Sequence, residues 1–447
     1  MKYLFVDNFR GFAETLLPVR DVNFFVGENS TGKTSILALI KLLSSPHFWF
    51  DQRFYTDEVK LGMFKDIVSV SSPNKSYFRI GFADITPKKR EKGENDDTAY
   101  AFLCTFAEED GTPIINHFTT IIMGEQFRVH FGRGSPKYKS EGSCQLLDDY
   151  ESIRNLFLNW ADNHQMIGSG YTSIKMPVER RSALAYIPSF LEGIVRKKRG
   201  ITPTRRYPPF YIIKPAFQDV VWLAPIRTRP LRTYDTYRLD FSPEGEHTPY
   251  LIKKLLTRRT PTQRKQSERF IKFIEKFGRD SGLFKSISIK DYDRRTTTSP
   301  FELDIILAKE ALSVDSVGYG ISQALPVIVE LFAQPKGTLF TIQQPEIHLH
   351  PRAQTALGDL IYELTILENK RFAIETHSDF TIDGFRLHYK ARKTERRPDA
   401  QIVFFERSDG SNNLYSIDIL ENGETSANQP RAYREFFVKK QMQLLGL

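Results

Sequence analysis

Cysteine and long apolar runs are both scarce in this sequence. Only Cys104 and Cys144 occur among the 447 residues, which excludes a disulfide-built scaffold and a zinc site made of cysteines. No apolar run approaches the ~18 residues that a membrane-spanning helix needs. Met1 and Lys2 lead straight into a strand-like segment instead of a secretion signal. We therefore expect a cytoplasmic protein without a membrane partner.

Neither sign of charge dominates the chain. Its 63 Lys and Arg residues against 54 Asp and Glu give a formal net charge of +9. With 40% hydrophobic and 26% charged residues, the composition is that of an ordinary globular protein and argues against wholesale disorder. The net charge is compatible with nucleic acid or an acidic partner and establishes neither. At roughly 150 residues per domain, the length predicts two or three lobes.

Hydrophobic periodicity divides the chain into three parts. Residues 1–140 start with buried-strand patterns and continue as short β-rich runs, which predict an antiparallel β subdomain. Residues 141–280 are interpreted as a helical and irregular insertion with basic segments, including a helix over 249–277. Residues 281–447 alternate strand and helix, with a helix predicted over 351–368, so a parallel sheet covered by helices is expected. The predicted fold class is therefore α/β.

A phosphate-binding loop is the strongest signal in the sequence. The segment from Gly27 to Thr34, GENSTGKT, fits G-x-x-x-x-G-K-[ST] and stands between a predicted strand and a predicted helix. Lys33 is expected to reach the β- and γ-phosphates of ATP, and the Thr34 hydroxyl to bind Mg²⁺. The alternative is a glycine-rich turn that merely caps a helix. The nucleotide-binding residues predicted here are Gly27, Glu28, Asn29, Ser30, Thr31, Gly32, Lys33, Thr34 and Ser35.

Further motifs follow in a fixed order. The chain carries NFRGF at 8–12, VGYGISQALP at 317–326, TLFTIQQPEIHLHP at 338–351 and IETHS at 374–378. In sum and order they resemble the N-terminal strand, signature, Walker B and switch-histidine segments of ABC-type ATPases related to SMC, RecF and OLD proteins. The resemblance covers residues 1–40 and about 310–380 well, and the middle weakly. It implies an ABC-type P-loop ATPase head with an antiparallel β subdomain and a helical insertion.

The resemblance assigns roles to residues after the P-loop. Gly318, Gly320, Ser322 and Gln323 would complete the ATP site of a second subunit, so a dimer or higher homo-oligomer with composite sites is implied; a helix-capping turn is the alternative. His377 would sense the γ-phosphate, and its alternative is an ordinary polar surface group. The two amides Gln343 and Gln344 stand where relatives carry an acidic metal-site residue and a catalytic glutamate.

Those two amides determine the hypothesis for activity. A carboxylate at the first position acts on Mg²⁺, and one at the second activates water, whereas glutamine orients a water without taking its proton. We expect an ATPase that binds MgATP tightly and hydrolyses it slowly or only when a partner triggers it. The metal residues predicted are Thr34 and Gln343, and the catalytic residues are Lys33, Gln344, Glu346 and His377. The nearby groups that could compensate for the missing acids are Glu346, His348, His350 and Glu375, with Glu346 as the competing candidate for the base.

Several basic residues are candidates for binding an acidic ligand. Arg227 and Arg229 lie at a spacing of two and are predicted to point the same way and grip a phosphate or carboxylate; a solvated strand end is the alternative. Further clusters lie at 196–206 and 253–265, and such clusters are more often solvated faces than DNA sites.

No nuclease motif is found after the switch histidine, neither a Toprim pattern nor a His-Asn-His pattern. The chain thus resembles the stand-alone ATPase subunits of the Septu, retron-associated and PARIS antiphage systems, which implies a separate effector protein, a nuclease. A RecF- or SMC-like DNA clamp for repair is the alternative, and DNA stays a candidate ligand. A metabolic P-loop kinase fits poorly because it leaves the later motifs unexplained.

Overall fold

The structure is a computed structural model. It describes residues 1–85, 99–132, 134–162, 170–174, 179–201, 216–235, 240–258, 260–292, 299–391, 396–427 and 429–435. Arg205, Arg206 and Arg259 of the predicted basic clusters, together with residues 436–447, lie outside these ranges. Among the helices of the described ranges, none is both long and apolar enough to cross a bilayer.

Seventeen strands and ten helices are used below. The strands are β1 (Lys2–Asp7), β2 (Thr15–Val19), β3 (Val22–Gly27), β4 (Tyr77–Asp84), β5 (Tyr100–Glu109), β6 (Thr112–Ile122), β7 (Glu125–His130), β8 (Lys137–Ser143), β9 (Thr172–Ser173), β10 (Val220–Leu223), β11 (Ser286–Asp291), β12 (Phe301–Ile306), β13 (Ala311–Ser313), β14 (Leu339–Gln343), β15 (Arg371–Glu375), β16 (Ala400–Ser408) and β17 (Ser411–Asp418). The helices are α1 (Lys33–Ser44), α2 (Pro46–Asp51), α3 (Phe64–Ile67), α4 (Tyr150–Asp162), α5 (Ala183–Lys198), α6 (Thr248–Leu256), α7 (Pro261–Ser281), α8 (Tyr319–Ala333), α9 (Pro351–Glu368) and α10 (Asp379–Ala391).

A six-stranded sheet carries the predicted motifs. Its strand order is β10-β14-β15-β3-β16-β17, and every neighbouring pair is parallel except β16 with β17. Strand β3 is buried along its whole length, as expected of a parallel strand covered on both faces. Because β3, β14 and β15 run the same way, the residues that follow them meet at one edge of the sheet. The predicted parallel sheet is confirmed.

The second sheet is the predicted antiparallel β subdomain, which is also confirmed. Its order is β2-β1-β4-β5-β6-β7-β8-β9, so strands from the start of the chain join the β-rich region. One face packs on helix α4, where the rings of Phe5 and Phe157 stack with centroids 4.9 Å apart. On the opposite side, Phe78 and Phe106 stack at 5.2 Å inside an aromatic cluster beneath α2. The sheet is therefore packed on both faces.

Two elements between residues 141 and 280 differ from the expected irregular insertion. Strand β10 pairs in parallel with β14 and is therefore part of the sheet that carries the motifs. The predicted helix over 249–277 is two helices, α6 and α7, separated at Thr257–Thr260. Thr260 caps α7 by accepting the N–H of Gln263, and Pro261 occupies the first turn. This capping box was readable from the sequence, whereas the pairing of β10 was not.

Helices α9 and α10 cross closely at two glycines. A Cβ on Gly358 would lie 2.1 Å from the carbonyl oxygen of Thr381, and one on Gly384 would lie 2.4 Å from that of Thr355. Only residues without a side chain therefore allow this approach. The crossing fixes the start of α10, and with it the segment that carries His377, against the motif-bearing sheet.

Candidate active site

The P-loop links β3 to α1 with an uncapped helix N-terminus. Gly27 has φ +131°, and a Cβ there would lie 2.1 Å from the carbonyl oxygen of Phe405. Gly32 has φ +94°, and its missing side chain leaves room for the Phe12 ring. No side chain caps α1, so its first N–H groups are available to a phosphate. Glu28, Asn29 and Ser30 are exposed at the tip of the loop.

Lys33 folds back onto its own loop. The side chain is only 3% exposed, and Nζ donates to the carbonyl oxygens of Gly27 at 3.0 Å and Glu28 at 2.6 Å. Thr31 donates from its hydroxyl to the same Glu28 oxygen at 2.8 Å, which keeps the loop closed. Burial lowers the pKa of Lys33, opposed by the charges of Glu375 and Glu28. Ser35 stands beside the loop and accepts a hydrogen bond from Arg10 at 3.4 Å.

Thr34, Gln343 and Glu375 meet at the sheet edge beside the loop. The Thr34 hydroxyl donates to Oε2 of Glu375 at 2.8 Å, and Nε2 of Gln343 lies 3.2 Å from that hydroxyl and 3.4 Å from Oε2. Mg²⁺ is typically held by one or two protein oxygens together with phosphates and waters, and this donor set fits such a site. From the sequence, Gln343 is predicted as a metal residue and Glu375 only as a nearby carboxylate that could compensate for the missing acids.

Glu346 is a buried carboxylate next to the switch segment. It is 9% exposed, and its Oε1 accepts the backbone N–H of His377 at 2.7 Å. Its Oε2 is buried without a hydrogen-bond partner. Burial raises the pKa of Glu346, opposed by the hydrogen bond from the His377 N–H and by the charge of Arg227. A carboxylate with a raised pKa and an unused oxygen has the properties of a general base.

Gln344 and His377 flank this carboxylate. Gln344 has φ +43°, and its backbone N–H donates to the carbonyl oxygen of Glu375 at 2.7 Å, so the chain turns sharply directly after β14. His377 is exposed, and its pKa is lowered by burial and then by the charge of Lys33, against the effect of Glu375. The imidazole is thus within electrostatic reach of the P-loop lysine.

The signature segment presents only part of its residues outward. Gly318 is exposed at the N-terminus of α8, and Gly320 is partly exposed beside the carbonyl oxygen of His348. Ser322 and Gln323 are buried: the serine hydroxyl donates to the Tyr319 carbonyl oxygen at 2.8 Å, and the glutamine amide donates to that of Arg227 at 3.4 Å. These two side chains make their hydrogen bonds inside their own subunit. The contact with a second subunit stays a prediction, and Gly318 is the residue best placed for it.

Comparison with protein families decides the affiliation of the chain. The family model described as "AAA ATPase domain" matches residues 1–110 and 240–382, more than half of the sequence, and includes the P-loop, signature, Walker B and switch-histidine segments. The chain belongs to the AAA ATPase domain family. The predicted α/β fold of a P-loop ATPase with an antiparallel β subdomain is confirmed, and the family implies binding of nucleotide with Mg²⁺. No curated protein matches the chain.

Solved structures similar to this AAA ATPase domain include heads of SMC proteins. An SMC head bound to the C-winged helix domain of ScpA is 13% identical, with 93% of this chain and 97% of that chain covered and a TM-score of 0.41. The SMC head domain from Thermotoga maritima is 12% identical, with 93% and 98% covered and a TM-score of 0.36. Likenesses this distant support no statement about the substrate or partner of the AAA ATPase domain.

The two arginines after β10 do not point the same way. Arg227 is 2% exposed and donates to the carbonyl oxygen of Gln343 at 3.3 Å, whereas Arg229 is exposed. Burial lowers the pKa of Arg227 to about 10, opposed by Glu346. The strict alternation of an extended strand does not apply because β10 ends at Leu223. Arg227 therefore connects two elements of the AAA ATPase domain. Its side chain contacts Gln343 at the end of β14, and its carbonyl oxygen accepts the amide of Gln323 on α8.

Three cations in the described parts of the basic clusters pair with a nearby carboxylate. Arg196 pairs with Glu192 at 2.7 Å, and Lys198 pairs with Glu125 at 2.9 Å. Lys253 pairs with Asp291 at 2.6 Å. A cation already paired with a carboxylate contributes less to binding of an external phosphate chain. Among the described residues, these clusters have the character of solvated faces of the AAA ATPase domain.

Proposed function

We propose that this ATPase binds MgATP between two copies of the chain, hydrolyses it slowly, and uses the ATP-bound dimer to hold or regulate a separate effector in antiphage defence. One observation carries the proposal: the uncapped N-terminus of α8 at Gly318 is exposed at the surface, while the P-loop lies at the edge of the motif-bearing sheet. Free N–H groups at a helix N-terminus bind phosphate. A partner's γ-phosphate is the ligand that suits Gly318.

Slow hydrolysis follows from the groups around the reacting water. Gln343 and Gln344 carry no proton-accepting carboxylate, so Glu346 is the base in this proposal. Its unpaired Oε2 is buried, and one of its oxygens already accepts the His377 N–H. Water reaches Oε2 only after the switch segment moves. An effector or a second subunit that moves this segment would therefore trigger turnover.

The defence role rests on the resemblance to the ATPase subunits of the Septu, retron-associated and PARIS systems. The pairing of Arg196, Lys198 and Lys253 with carboxylates supports a protein effector over a DNA clamp, because clamping requires unpaired Lys and Arg along a groove. The nuclease nature of the effector is carried over from the same resemblance.

Gly318→Glu is expected to abolish the ATP-dependent dimer and to leave ATP binding by the single subunit unchanged. Gly318 has φ −56°, which any residue adopts, and a Cβ there meets no atom within 4 Å, so the variant should fold. The new carboxylate would face the partner's γ-phosphate and repel it. Light scattering with a non-hydrolysable ATP analogue and Mg²⁺ measures the dimer.

Gly193→Glu is the matched control for that variant. Gly193 lies exposed on α5, and a Cβ there also meets nothing within 4 Å. It should dimerise like the wild type. A Gly318→Glu protein that dimerises with ATP as readily as the control would contradict the head-to-tail arrangement.

The effector is tested by isolating the full chain from cells that carry its neighbouring genes and determining the mass of the complex. We expect a nuclease in fixed stoichiometry with the ATPase and no DNA after nuclease-free purification. Recovery of DNA without a protein partner, with an affinity that falls steeply as salt rises, would contradict the scaffold and favour the DNA clamp.

A further inference from the structure

The carboxylate beside Thr34 comes from β15. The resemblance to ABC-type ATPases leads one to expect it on β14, at position 343. Gln343 is the last residue of β14, and Glu375 is the last residue of the adjacent strand β15. The two strands pair in parallel with these residues in register. The acidic group that is absent at position 343 is therefore present one strand away, at the same level of the sheet.

We propose that Glu375, together with Thr34, binds the Mg²⁺ that accompanies the nucleotide, and that Gln343 is its neutral neighbour. The inference rests on the proposed ATP binding and deepens it by naming the protein ligand. Glu375 is 7% exposed, and its Oε2 already contacts the Thr34 hydroxyl at 2.8 Å. Neighbouring ligands in octahedral Mg²⁺ coordination lie about 2.8–3.0 Å apart when each metal–oxygen bond is about 2.0–2.1 Å. The observed spacing fits two adjacent corners.

The neutrality of Gln343 agrees with this assignment. Its Nε2 lies 3.4 Å from Oε2 of Glu375, so a carboxylate at position 343 would place two like charges in contact. An amide at this position instead leaves Glu375 free to carry the charge. The described residues contain no cluster of three or more His, Cys, Asp or Glu side chains suited to a metal, so a single carboxylate with Thr34 is what the chain offers here.

A purely structural role is the competing explanation for Glu375. In that role its carboxylate only accepts the Thr34 hydroxyl and steadies the start of α1. The two roles separate experimentally, because a structural contact affects the melting temperature, whereas a metal ligand affects how strongly Mg²⁺ promotes nucleotide binding.

The experiment measures the affinity of the full chain for a fluorescent, non-hydrolysable ATP analogue in Mg²⁺ and in EDTA. Glu375→Gln is expected to reduce the ratio of the two affinities by at least about tenfold, because it removes the charged ligand. The double variant Gln343→Glu/Glu375→Gln moves the carboxylate back to β14 and should restore most of the ratio. Mn²⁺ electron paramagnetic resonance in the presence of the analogue gives a second readout, in which Glu375→Gln loses the bound-metal signal.

Glu421→Gln is the matched control, since Glu421 is 97% exposed and undergoes the same chemical change. A folded Glu375→Gln protein with the Mg²⁺ ratio and Mn²⁺ signal of the wild type would overturn the inference. If Glu375→Gln does not fold, the double variant decides: a wild-type ratio supports the inference, and a ratio near one overturns it. A wild type that binds no ATP would instead overturn the proposed function.

Discussion

Lys33→Ala is expected to bind ATP at least about 30-fold more weakly than the wild type, since loss of one partner of a buried, hydrogen-bonded charge pair costs about 2–5 kcal/mol. Lys33 is the cation of the loop itself, and in the structure its Nζ is satisfied by two carbonyl oxygens that ATP must replace as partners. Equilibrium titration with a fluorescent ATP analogue measures the loss, and thermal melting without nucleotide checks the fold.

Lys197→Ala is the control for the change in charge. Lys197 lies exposed near the end of α5, so its removal should leave the affinity for ATP unchanged. Equal affinities of Lys33→Ala and wild type would mean that the loop does not hold a nucleotide. The helix-capping alternative would then be the correct interpretation of the motif.

Glu346→Gln is expected to reduce the rate of ATP hydrolysis by about 10²–10⁴-fold, which is the usual contribution of a general base. The affinity for ATP and the ATP-dependent dimer should be those of the wild type. Glutamine has nearly the same shape and still offers an oxygen to the His377 N–H, so the switch segment stays in place. It lacks a group that takes a proton from water at the position of Oε2. Single-turnover hydrolysis, measured at saturating MgATP, separates this effect from binding.

The companion variant Gln344→Ala tests whether an amide alone activates the water. If Glu346 is the base, Gln344→Ala has much the smaller effect. Loss of turnover in Gln344→Ala with normal turnover in Glu346→Gln would reverse the assignment. Wild-type hydrolysis at several turnovers per second without a partner would contradict slow switching, because that rate lies within the ordinary range of enzymes.

Local signals in the sequence specify the elements that bear the motifs. The helix predicted over 351–368 has these bounds in the structure, since Pro351 occupies its first turn and Asn369 ends it with φ +54°. Gly27 and Gly32 adopt the positive φ values that a phosphate loop requires. Such features depend on neighbouring residues, and the sequence therefore predicts them.

Relations between distant residues were not predictable in the same way. The contact between Thr34 and Glu375 joins positions 341 residues apart and depends on which strand lies beside which. The inward direction of Ser322 and Gln323 depends on what packs over α8, including the Arg227 segment. A single sequence indicates where strands end but not the order of the strands across the sheet. Glu375 was therefore predicted as a nearby acid and not as a neighbour of Thr34.

The place of β3 in the sheet has a consequence for how the protein is made. Strand β3 is complete at residue 27, yet both of its sheet neighbours, β15 and β16, are translated after residue 370. A nascent chain that contains the P-loop thus has no partners for that strand until residues beyond 370 have been made. Folding depends on contacts of long sequence separation, which are slow to form and leave apolar strands exposed meanwhile. The contacts of Thr34 with Gln343 and Glu375 need β15, so products truncated before residue 375 lack them.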